Sequence, residues 1–149
     1  MYRHILISTD GSELAQKGVD EGLQLAKALG AKVTFVTVTA PYPMASIAVG
    51  AGWVPTEEEI DVYNADEQRR ADDILSAVLK AARVSGIEVQ GSHVVDTLAA
   101  DAILHVAAEQ GCDLIVMASH GHTGVKRLLL GSQTSEVLGR ATIPVLVVK

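Results

Sequence analysis

Hydrophobic residues along the 149-residue chain follow two alternating patterns. Longer segments carry an apolar residue every three or four positions, which predicts four amphipathic helices. Strands that alternate with helices join through right-handed crossovers on a parallel sheet. The pattern therefore predicts a single Rossmann-like, doubly wound α/β domain over residues 1–149, with five parallel strands and four helices. The predicted strands are short, nearly continuous apolar runs: Tyr2–Ser8, Lys32–Thr39, Ile87–Val95, Leu114–Met117 and Pro144–Val148.

Capping residues mark where the predicted helices begin and end. Glycines at 30, 86 and 111 follow the last apolar positions of the first three helices, as expected of C-terminal caps. The second helix is unusually long, and its first half, through Arg70, is polar. We expect that half to extend beyond the sheet into solvent. The predicted N-caps are Ser12, Thr56 (in the capping box Thr56–Glu59), Asp96 or Thr97, and Ser132.

The segment from Ala118 to Ser132 has the composition of a phosphate-binding loop. It follows a buried strand, contains Gly121 and Gly131 together with Lys126 and Arg127, and leads into a helix N-terminus. Such a terminus attracts phosphate through its N–H groups and dipole, and glycine lets the backbone approach a ligand closely. An ordinary turn followed by a helix start explains the same residues, so both interpretations stay open at this point.

Polar residues follow the first and fourth strands, at Ser8–Asp10 and at Ala118–Gly121. In open parallel sheets, ligands bind beyond the carboxyl ends of the strands where the strand order reverses. If these two strands are neighbours, Asp10 faces the glycine-containing loop. Its carboxylate would there accept hydrogen bonds from ribose hydroxyls or hold a metal ion on a polyphosphate. The alternative is a turn residue that helps to cap the first helix.

Composition narrows the possible functions. The formal net charge of −6 argues against a nucleic-acid-binding surface. No apolar run approaches the ~20 residues of a membrane helix and no segment resembles a leader peptide, so we expect a soluble, cytoplasmic protein with no membrane partner. The single cysteine, Cys112, is expected to be an inert, partly buried thiol.

Motifs for catalysis and metal binding are missing from the sequence. It contains neither a Walker loop, nor a dinucleotide fingerprint, nor a G-x-S-x-G nucleophile elbow. His120 and His122 have no evident third ligand, so a metal site is not expected. With no nucleophile–base pair apparent, we expect a binding protein rather than an efficient enzyme.

The segment from Ala40 to Pro55 holds three of the four prolines and the only tryptophan. Long connections of this kind are often functional lids. A simple connection between the second strand and the second helix explains the same composition, and the sequence does not choose between them.

Taken together, these residues resemble the universal stress protein family, and the resemblance covers the whole chain. ATP-binding members of that family carry the motif G-x-x-G, nine residues, then G-[ST]. Here Gly121, the nine residues 122–130 and the pair Gly131-Ser132 match its second half. The first motif glycine is replaced by Ala118, a change of one methyl group. The opening segment Ile5–Ser12 and the closing segment Ile143–Val148 also resemble the family's terminal strands.

The resemblance implies a strand order of 3-2-1-4-5 and a dimeric stress-response regulator that binds an adenine nucleotide, ATP or AMP, with or without Mg²⁺. It implies a homodimer formed through the C-terminal strand Pro144–Val148. Asp10 would accept hydrogen bonds from the ribose, and Val38 would present its backbone to the adenine edge. The residues implied around the nucleotide are Ser8, Thr9, Asp10, Val38, Met117, Ala118, His120 and Gly121, with Gly131, Ser132, Gln133 and Thr134 holding the phosphates through N–H groups and hydroxyls.

Two other functions remain open at this stage. A dimeric interaction module that binds no nucleotide would follow if the motif has lost its ligand at Ala118. A slow, Mg²⁺-dependent ATP hydrolase would follow if Asp10 and the metal position the phosphates. The intact spacing from Gly121 to Gly131 favours nucleotide binding over the first alternative.

Overall fold

The computed structural model describes residues 1–44, 52, 54–120 and 130–149. Within these residues the strands form one parallel sheet in the order β3-β2-β1-β4-β5. The doubly wound α/β fold and its strand order are therefore confirmed. The elements, in chain order, are β1 His4–Ser8, α1 Glu13–Leu29, β2 Lys32–Thr39, α2 Glu57–Val84, β3 Val89–Val95, α3 Ala99–Glu109, β4 Leu114–Ala118, α4 Ser132–Arg140 and β5 Val145–Val148.

Two hydrophobic layers cover the faces of the sheet. On one face, alternate strand residues such as Ile7, Phe35 and Val116 pack against α1 and α2. On the other, the residues between them, such as Leu6 and Ile115, pack against α3 and α4. Because successive side chains of a strand point to opposite faces, strands covered on both sides must be apolar throughout. This requirement explains their continuous hydrophobic runs.

Helix α1 lies unusually close to the centre of the sheet because it turns small residues towards it. A Cβ atom added at Gly22 would stand 2.5 Å from the Cδ1 atom of Ile7, and one at Gly18 would stand 3.3 Å from the backbone nitrogen of Ala118. Ala15 and Ala26 on the same helix are also buried. The close approach brings the start of α1 to the carboxyl ends of β1 and β4.

The first two helices begin as predicted. The Ser12 hydroxyl accepts a hydrogen bond from the Ala15 N–H, and Gly30 ends α1 with a left-handed φ of 65°. Thr56 and Glu59 form the complete capping box of α2. These caps connect residues three or four positions apart, so neighbours in the chain suffice to form them.

The caps of the last two helices differ from the prediction. Leu98 is the N-cap of α3 and makes no side-chain cap, while the Asp96 carboxylate accepts from the Leu98 N–H one residue before the helix. Gly131, rather than Ser132, is the N-cap of α4. Gly131 is held there because its N–H donates to the carbonyl of Ser119, at 2.8 Å.

Several strand boundaries also differ by one or two residues. β1 begins at His4 because the N–H groups of Arg3 and His4 bind the Asp113 carboxylate. β5 begins at Val145; Pro144 has no N–H and contributes only its carbonyl, which accepts from Ile115. β3 begins at Val89 rather than at residue 87, and β4 extends one residue further, to Ala118.

The polar first half of α2 is mostly exposed, as expected. It is nevertheless anchored, because the Tyr63 hydroxyl donates to the carbonyl of Ala40 at 3.2 Å. The rings of Tyr63 and Tyr42 also meet edge to face, with centroids 5.2 Å apart. Of the predicted loop from Ala40 to Pro55, residues 45–51 and 53 lie outside the described residues, and so the lid interpretation stays a prediction.

None of the described helices has the length and the apolar character needed to cross a membrane. Cys112 is buried beside α3, and burial raises the pKa of its thiol to about 11. A thiol with such a pKa is almost entirely protonated at neutral pH, which makes it a poor nucleophile.

His4 is the one buried histidine of the described residues, 3% exposed at the amino end of the sheet. Its Nε2 atom lies 2.8 Å from the Thr34 hydroxyl, which also accepts a hydrogen bond from the Gln90 amide. Burial lowers the pKa of the His4 imidazole, and the nearby Lys32 ammonium acts in the same direction. His4 is therefore neutral in the folded protein at neutral pH.

We expect the free energy of unfolding to decrease as the pH falls below the ordinary histidine pKa of 6.5. The unfolded chain takes up a proton at His4 near that pH, whereas the folded protein does so only at lower pH, so acid favours unfolding. The loss would reach up to about 1.4 kcal/mol per pH unit. His4→Gln would lack this contribution, as urea denaturation at several pH values would measure. A stability difference between the two proteins that is independent of pH would contradict this prediction.

Candidate functional site

The candidate site lies where β1 ends between two longer strands. The last residue pairs of β1 are Ser8 with Val36 of β2 and Ile7 with Val116 of β4. Both neighbours continue beyond this point, β2 to Thr39 and β4 to Ala118. From β1 the chain continues to β2 and β3 on one side of the sheet, and it then crosses to β4 and β5 on the other side. The strand order therefore reverses at β1. Open parallel sheets bind ligands at such a position.

Both longer strands direct backbone polar groups into the gap beyond β1. The Val36 carbonyl accepts from the Thr9 N–H at 3.0 Å, on the β1 side of β2. Groups two residues apart on a strand point the same way, so the N–H and C=O of Val38 face the space past the end of β1. On β4, the Ser119 N–H donates to Val148 of β5, and the backbone groups of Ala118 therefore point the opposite way, into the same space.

A cavity of about 300 Å³ occupies this gap, at the lower end of the usual volume of small-molecule sites. The structure brings every described residue of the predicted site to its wall; Gly121 lies outside the described residues. The predicted residues on the wall are Ser8, Thr9, Asp10, Val38, Met117, Ala118, His120, Gly131, Ser132, Gln133 and Thr134.

Four apolar residues of the wall were missed by sequence reasoning: Ala15, Val36, Ala99 and Ile103. Val36 has the same parity on β2 as Val38, a signal that was available in the sequence. Ala99 and Ile103 are one turn apart on α3, and Ala15 faces the sheet from α1. Only the packing of these helices shows that they reach the cavity.

Asp10 is a turn residue, as one of the two interpretations of the sequence has it, and it also lies on the cavity wall, while its contact with a ribose or a metal ion stays a prediction. Its Oδ1 atom accepts from the Ser12 N–H at 3.0 Å, and the Thr9 hydroxyl accepts from Gly11 at 3.2 Å. Gly11 has a φ of +77°, and a Cβ there would stand 2.9 Å from the Ile74 side chain. This turn requires glycine and holds Asp10 at the cavity.

The N-terminus of α4 points three backbone N–H groups at the cavity wall. The first intrahelical bond of α4 runs from Ser135 to the Gly131 carbonyl, so the N–H groups of Ser132, Gln133 and Thr134 have no partner within the helix. A Cβ on Gly131 would stand 3.2 Å from the Ser119 carbonyl oxygen. Glycine at position 131 therefore allows this close approach to β4.

The Thr134 hydroxyl is committed to the strand beside it. It donates towards the carbonyls of Ala118 and Ser119, at 3.0 and 3.3 Å, and the residue is 3% exposed. Its hydroxyl proton is therefore unavailable to a phosphate. Thr134 can therefore offer a ligand its N–H. Its hydroxyl cannot donate to a phosphate, although the resemblance implied that it would.

His120 lines the cavity, and its Nδ1 atom lies 3.0 Å from the Ser119 hydroxyl. Sequence reasoning missed this serine–histidine contact. Ser119 is only 5% exposed and is absent from the cavity wall, so its hydroxyl is out of reach of a substrate. Within the described part of the chain, no group of three or more His, Cys, Asp or Glu residues is arranged to hold a metal ion.

In the described part of the wall, the electrostatics come mainly from the backbone. Among its described residues Asp10 is the one carboxylate, and none is a lysine or arginine. Positive potential is supplied by the N-terminal dipole of α4 and by its first N–H groups, which have no partner within the helix. The arrangement can accept a planar edge beside Val38, a diol beside Asp10 and an anion at the start of α4.

Comparison with known proteins places this architecture in one family. The model of the Universal stress protein family matches residues 1–149. Universal stress protein MJ0531 of Methanocaldococcus jannaschii is 30% identical over 149 residues, which are 100% of this chain and 83% of that protein.

Solved structures agree with this relationship. The structure of protein MJ0577, also of Methanocaldococcus jannaschii, is 30% identical and has a TM-score of 0.80, with 100% of this chain and 96% of that chain covered. A universal stress protein solved in complex with cAMP is 27% identical, with a TM-score of 0.72 and coverage of 99% and 97%.

Replacing Thr134 tests how strongly α4 depends on its tie to β4. We expect Thr134→Val to lower the free energy of unfolding by about 1–3 kcal/mol, because the carbonyls of Ala118 and Ser119 lose their buried donor. Thr134→Ser retains the hydroxyl and is the matched control. Chemical denaturation of the three proteins measures the difference, and equal stabilities for the valine and serine variants would contradict the assignment.

Proposed function

The chain belongs to the universal stress protein family, and on this basis we propose that it is an adenine-nucleotide-binding regulator of the stress response. AMP or ATP would occupy the cavity beyond the end of β1. One observation carries the proposal: backbone groups of Val38 and Ala118, the Asp10 carboxylate and the N-terminus of α4 converge on a single cavity. A nucleotide carries three complementary groups in the same order: the hydrogen-bonding edge of its base, the ribose diol and the phosphate anion.

The base would lie on the side of β2 and α3. Val36, Ile103 and Met117 give that side an apolar surface suited to a purine ring. The Val38 N–H and C=O, which point past the end of β1, would donate to and accept from the adenine edge. Adenine presents a ring nitrogen acceptor beside an amino donor, which matches this pair of backbone groups.

The ribose and phosphates would lie on the side of β1 and α4. The Asp10 carboxylate would accept hydrogen bonds from the ribose hydroxyls, and the N–H groups of Ser132, Gln133 and Thr134 would bind the phosphates. A relative that is 27% identical over nearly the whole chain has been solved with cAMP, which supports an adenine nucleotide as the ligand class.

We propose a binding role without efficient turnover. Among the described residues, the one serine–histidine contact at the site has a buried hydroxyl that does not line the cavity. Mg²⁺, where present, would arrive on the phosphates of ATP, and its positive charge would offset their negative charge. Slow hydrolysis would follow only if a bound water were activated there, and a turnover assay with ATP tests that alternative.

The dimer implied by the resemblance and the cytoplasmic location stay predictions. β5 is at an edge of the sheet, and its Leu146 is 39% exposed. An apolar edge strand presents unpaired backbone groups that favour pairing with another strand. This observation supports a homodimer formed through β5, Val145–Val148, with the stress-response role exercised by that assembly.

The proposal is tested by identifying the nucleotide that the protein carries and binds. Purified protein is denatured, the extract is resolved by anion exchange, and the refolded or untreated protein is titrated calorimetrically with AMP, ATP and GTP. We expect co-purified adenine nucleotide or saturable binding near micromolar Kd, about −8 kcal/mol, with weaker binding of GTP. An empty extract together with no binding heat would overturn the proposal and favour an interaction module.

Asp10→Asn tests the ribose contact while keeping an acceptor for the Ser12 N–H. We expect about tenfold weaker binding of AMP, because a carboxylate accepts from both hydroxyls more strongly than an amide does. Binding of 2′,3′-dideoxy-AMP should not change. Asp20→Asn, the same change on the exposed face of α1, serves as control. Equal losses of affinity for both ligands in the Asp10 variant would contradict a contact between Asp10 and the ribose.

Ala118→Gly tests whether the departure from the family motif matters. Ala118 is a strand residue, and by the alternation along β4 its side chain falls on the α1 face with Val116, whereas Met117 faces α3. We therefore expect the nucleotide Kd to stay within about twofold, with a stability loss of roughly 0.5–1 kcal/mol from the added glycine. Calorimetry and denaturation measure the two effects. A large gain in affinity would instead mean that the methyl group obstructs the ligand.

A further inference from the structure

Gln133 connects two helices at the cavity. Its Oε1 atom accepts a hydrogen bond from the Ala100 N–H at 2.8 Å. The N-cap of α3, Leu98, has no capping side chain of its own, so an amide from α4 supplies a cap across 33 positions of sequence. Gln133 also lines the cavity and is only partly exposed.

This hydrogen bond shows which end of the amide is already occupied within the protein. The backbone N–H of Ala100 can only donate, so the Gln133 atom that it contacts must be the oxygen. This contact therefore assigns the orientation of the Gln133 amide. Oxygen and nitrogen are bonded to the same planar carbon and point in different directions, so the nitrogen remains available when the oxygen is occupied. Within the described residues the Gln133 nitrogen makes no hydrogen bond of its own. The group left over is therefore purely a donor.

We propose that the Gln133 side chain binds a phosphate of the nucleotide through its Nε2–H group while its oxygen continues to cap α3. This inference rests on the proposed function and deepens it. A pure donor beside the N-terminal N–H groups of α4 is suited to a phosphate oxygen, which only accepts. Gln133 thus selects phosphorylated nucleosides over neutral ones, and it does so with its side chain as well as its N–H.

The same contact couples ligand binding to α3. Ala99 and Ile103 of this helix form part of the cavity wall, and Arg140 of α4 pairs with Asp101 in the first turn of α3. Two polar contacts among the described residues thus join α3 to α4, and of these only the one from Gln133 reaches the cavity. A phosphate that holds the nitrogen of the amide also holds its oxygen against Ala100. Nucleotide binding therefore stabilises the start of α3.

Two variants separate the roles of the two ends of the amide. Gln133→Glu keeps an oxygen acceptor for Ala100 and favours the α4 dipole, but it cannot donate and it repels phosphate. Gln133→Leu has a similar size and loses both hydrogen bonds. Gln24→Glu makes the same chemical change at an exposed position of α1 and is the matched control. Each protein is titrated with AMP and with adenosine, and its thermal midpoint and the hydrogen exchange of the Ala100 amide are measured.

We expect Gln133→Glu to weaken AMP binding at least about tenfold while the adenosine Kd, the thermal midpoint and the Ala100 exchange stay close to wild type. Gln133→Leu should lose AMP affinity, lower the midpoint and expose the Ala100 amide to faster exchange. AMP should slow that exchange in the wild type but not in Gln133→Glu.

Equal AMP affinity in Gln133→Glu and wild type would overturn the inference, as would equal losses of AMP and adenosine, because the latter indicates a purely structural role. These outcomes leave the proposed function intact, since the wild type still binds AMP. Failure of the wild type itself to bind AMP would overturn the proposed function, and this inference with it, before any variant is compared.

Discussion

The early end of β1 is the constraint on which the rest of the site depends. β2 and β4 continue past Ser8, so the backbone groups of Val38 and Ala118 face a gap in the sheet instead of a neighbouring strand. Buried backbone donors and acceptors are costly when left unpaired, and a gap of this kind must be filled by water or by a ligand. A molecule with complementary hydrogen-bonding edges would therefore gain affinity from the N–H and C=O of Val38, whereas the Ala118 carbonyl already accepts from the Thr134 hydroxyl.

Close packing turns this gap into a defined cavity. Gly18 and Gly22 let α1 approach the sheet so closely that a β-carbon would stand 2.5 Å from the Ile7 side chain of β1 at position 22 and 3.3 Å from the Ala118 nitrogen of β4 at position 18. The short turn from Thr9 to Ser12 follows from that approach, and it holds Asp10 beside the cavity. On the opposite face, Thr134 fastens the start of α4 to the end of β4. The cavity is thus bounded by contacts that stabilise the fold in any case.

The site also shows how an acidic protein can accommodate an anion. The chain carries a formal charge of −6, and the described residues of the cavity wall include a carboxylate but no lysine or arginine. Three N–H groups at the start of α4, together with the helix dipole, act over a few ångströms, whereas distant surface charges are screened by salt. If the proposed nucleotide binds here, local backbone geometry rather than net charge would favour its phosphate.

The sequence by itself determined the elements, their order and much of the cavity wall. These features depend on residues only a few positions apart, so the sequence alone predicts them. They include the apolar runs, the cap at Ser12, the capping box Thr56–Glu59 and the glycine at 30. The strand ends that supply Asp10 and Ala118 were likewise predictable once a parallel sheet was inferred. Only the tertiary structure decided which side chains serve partners far away in sequence. Gln133 caps α3 where Asp96 or Thr97 was expected, and the Thr134 hydroxyl binds β4 instead of facing a ligand. The physical reason is that a polar group takes the best partner that packing brings within 3 Å or so, and no pattern along the chain records that distance.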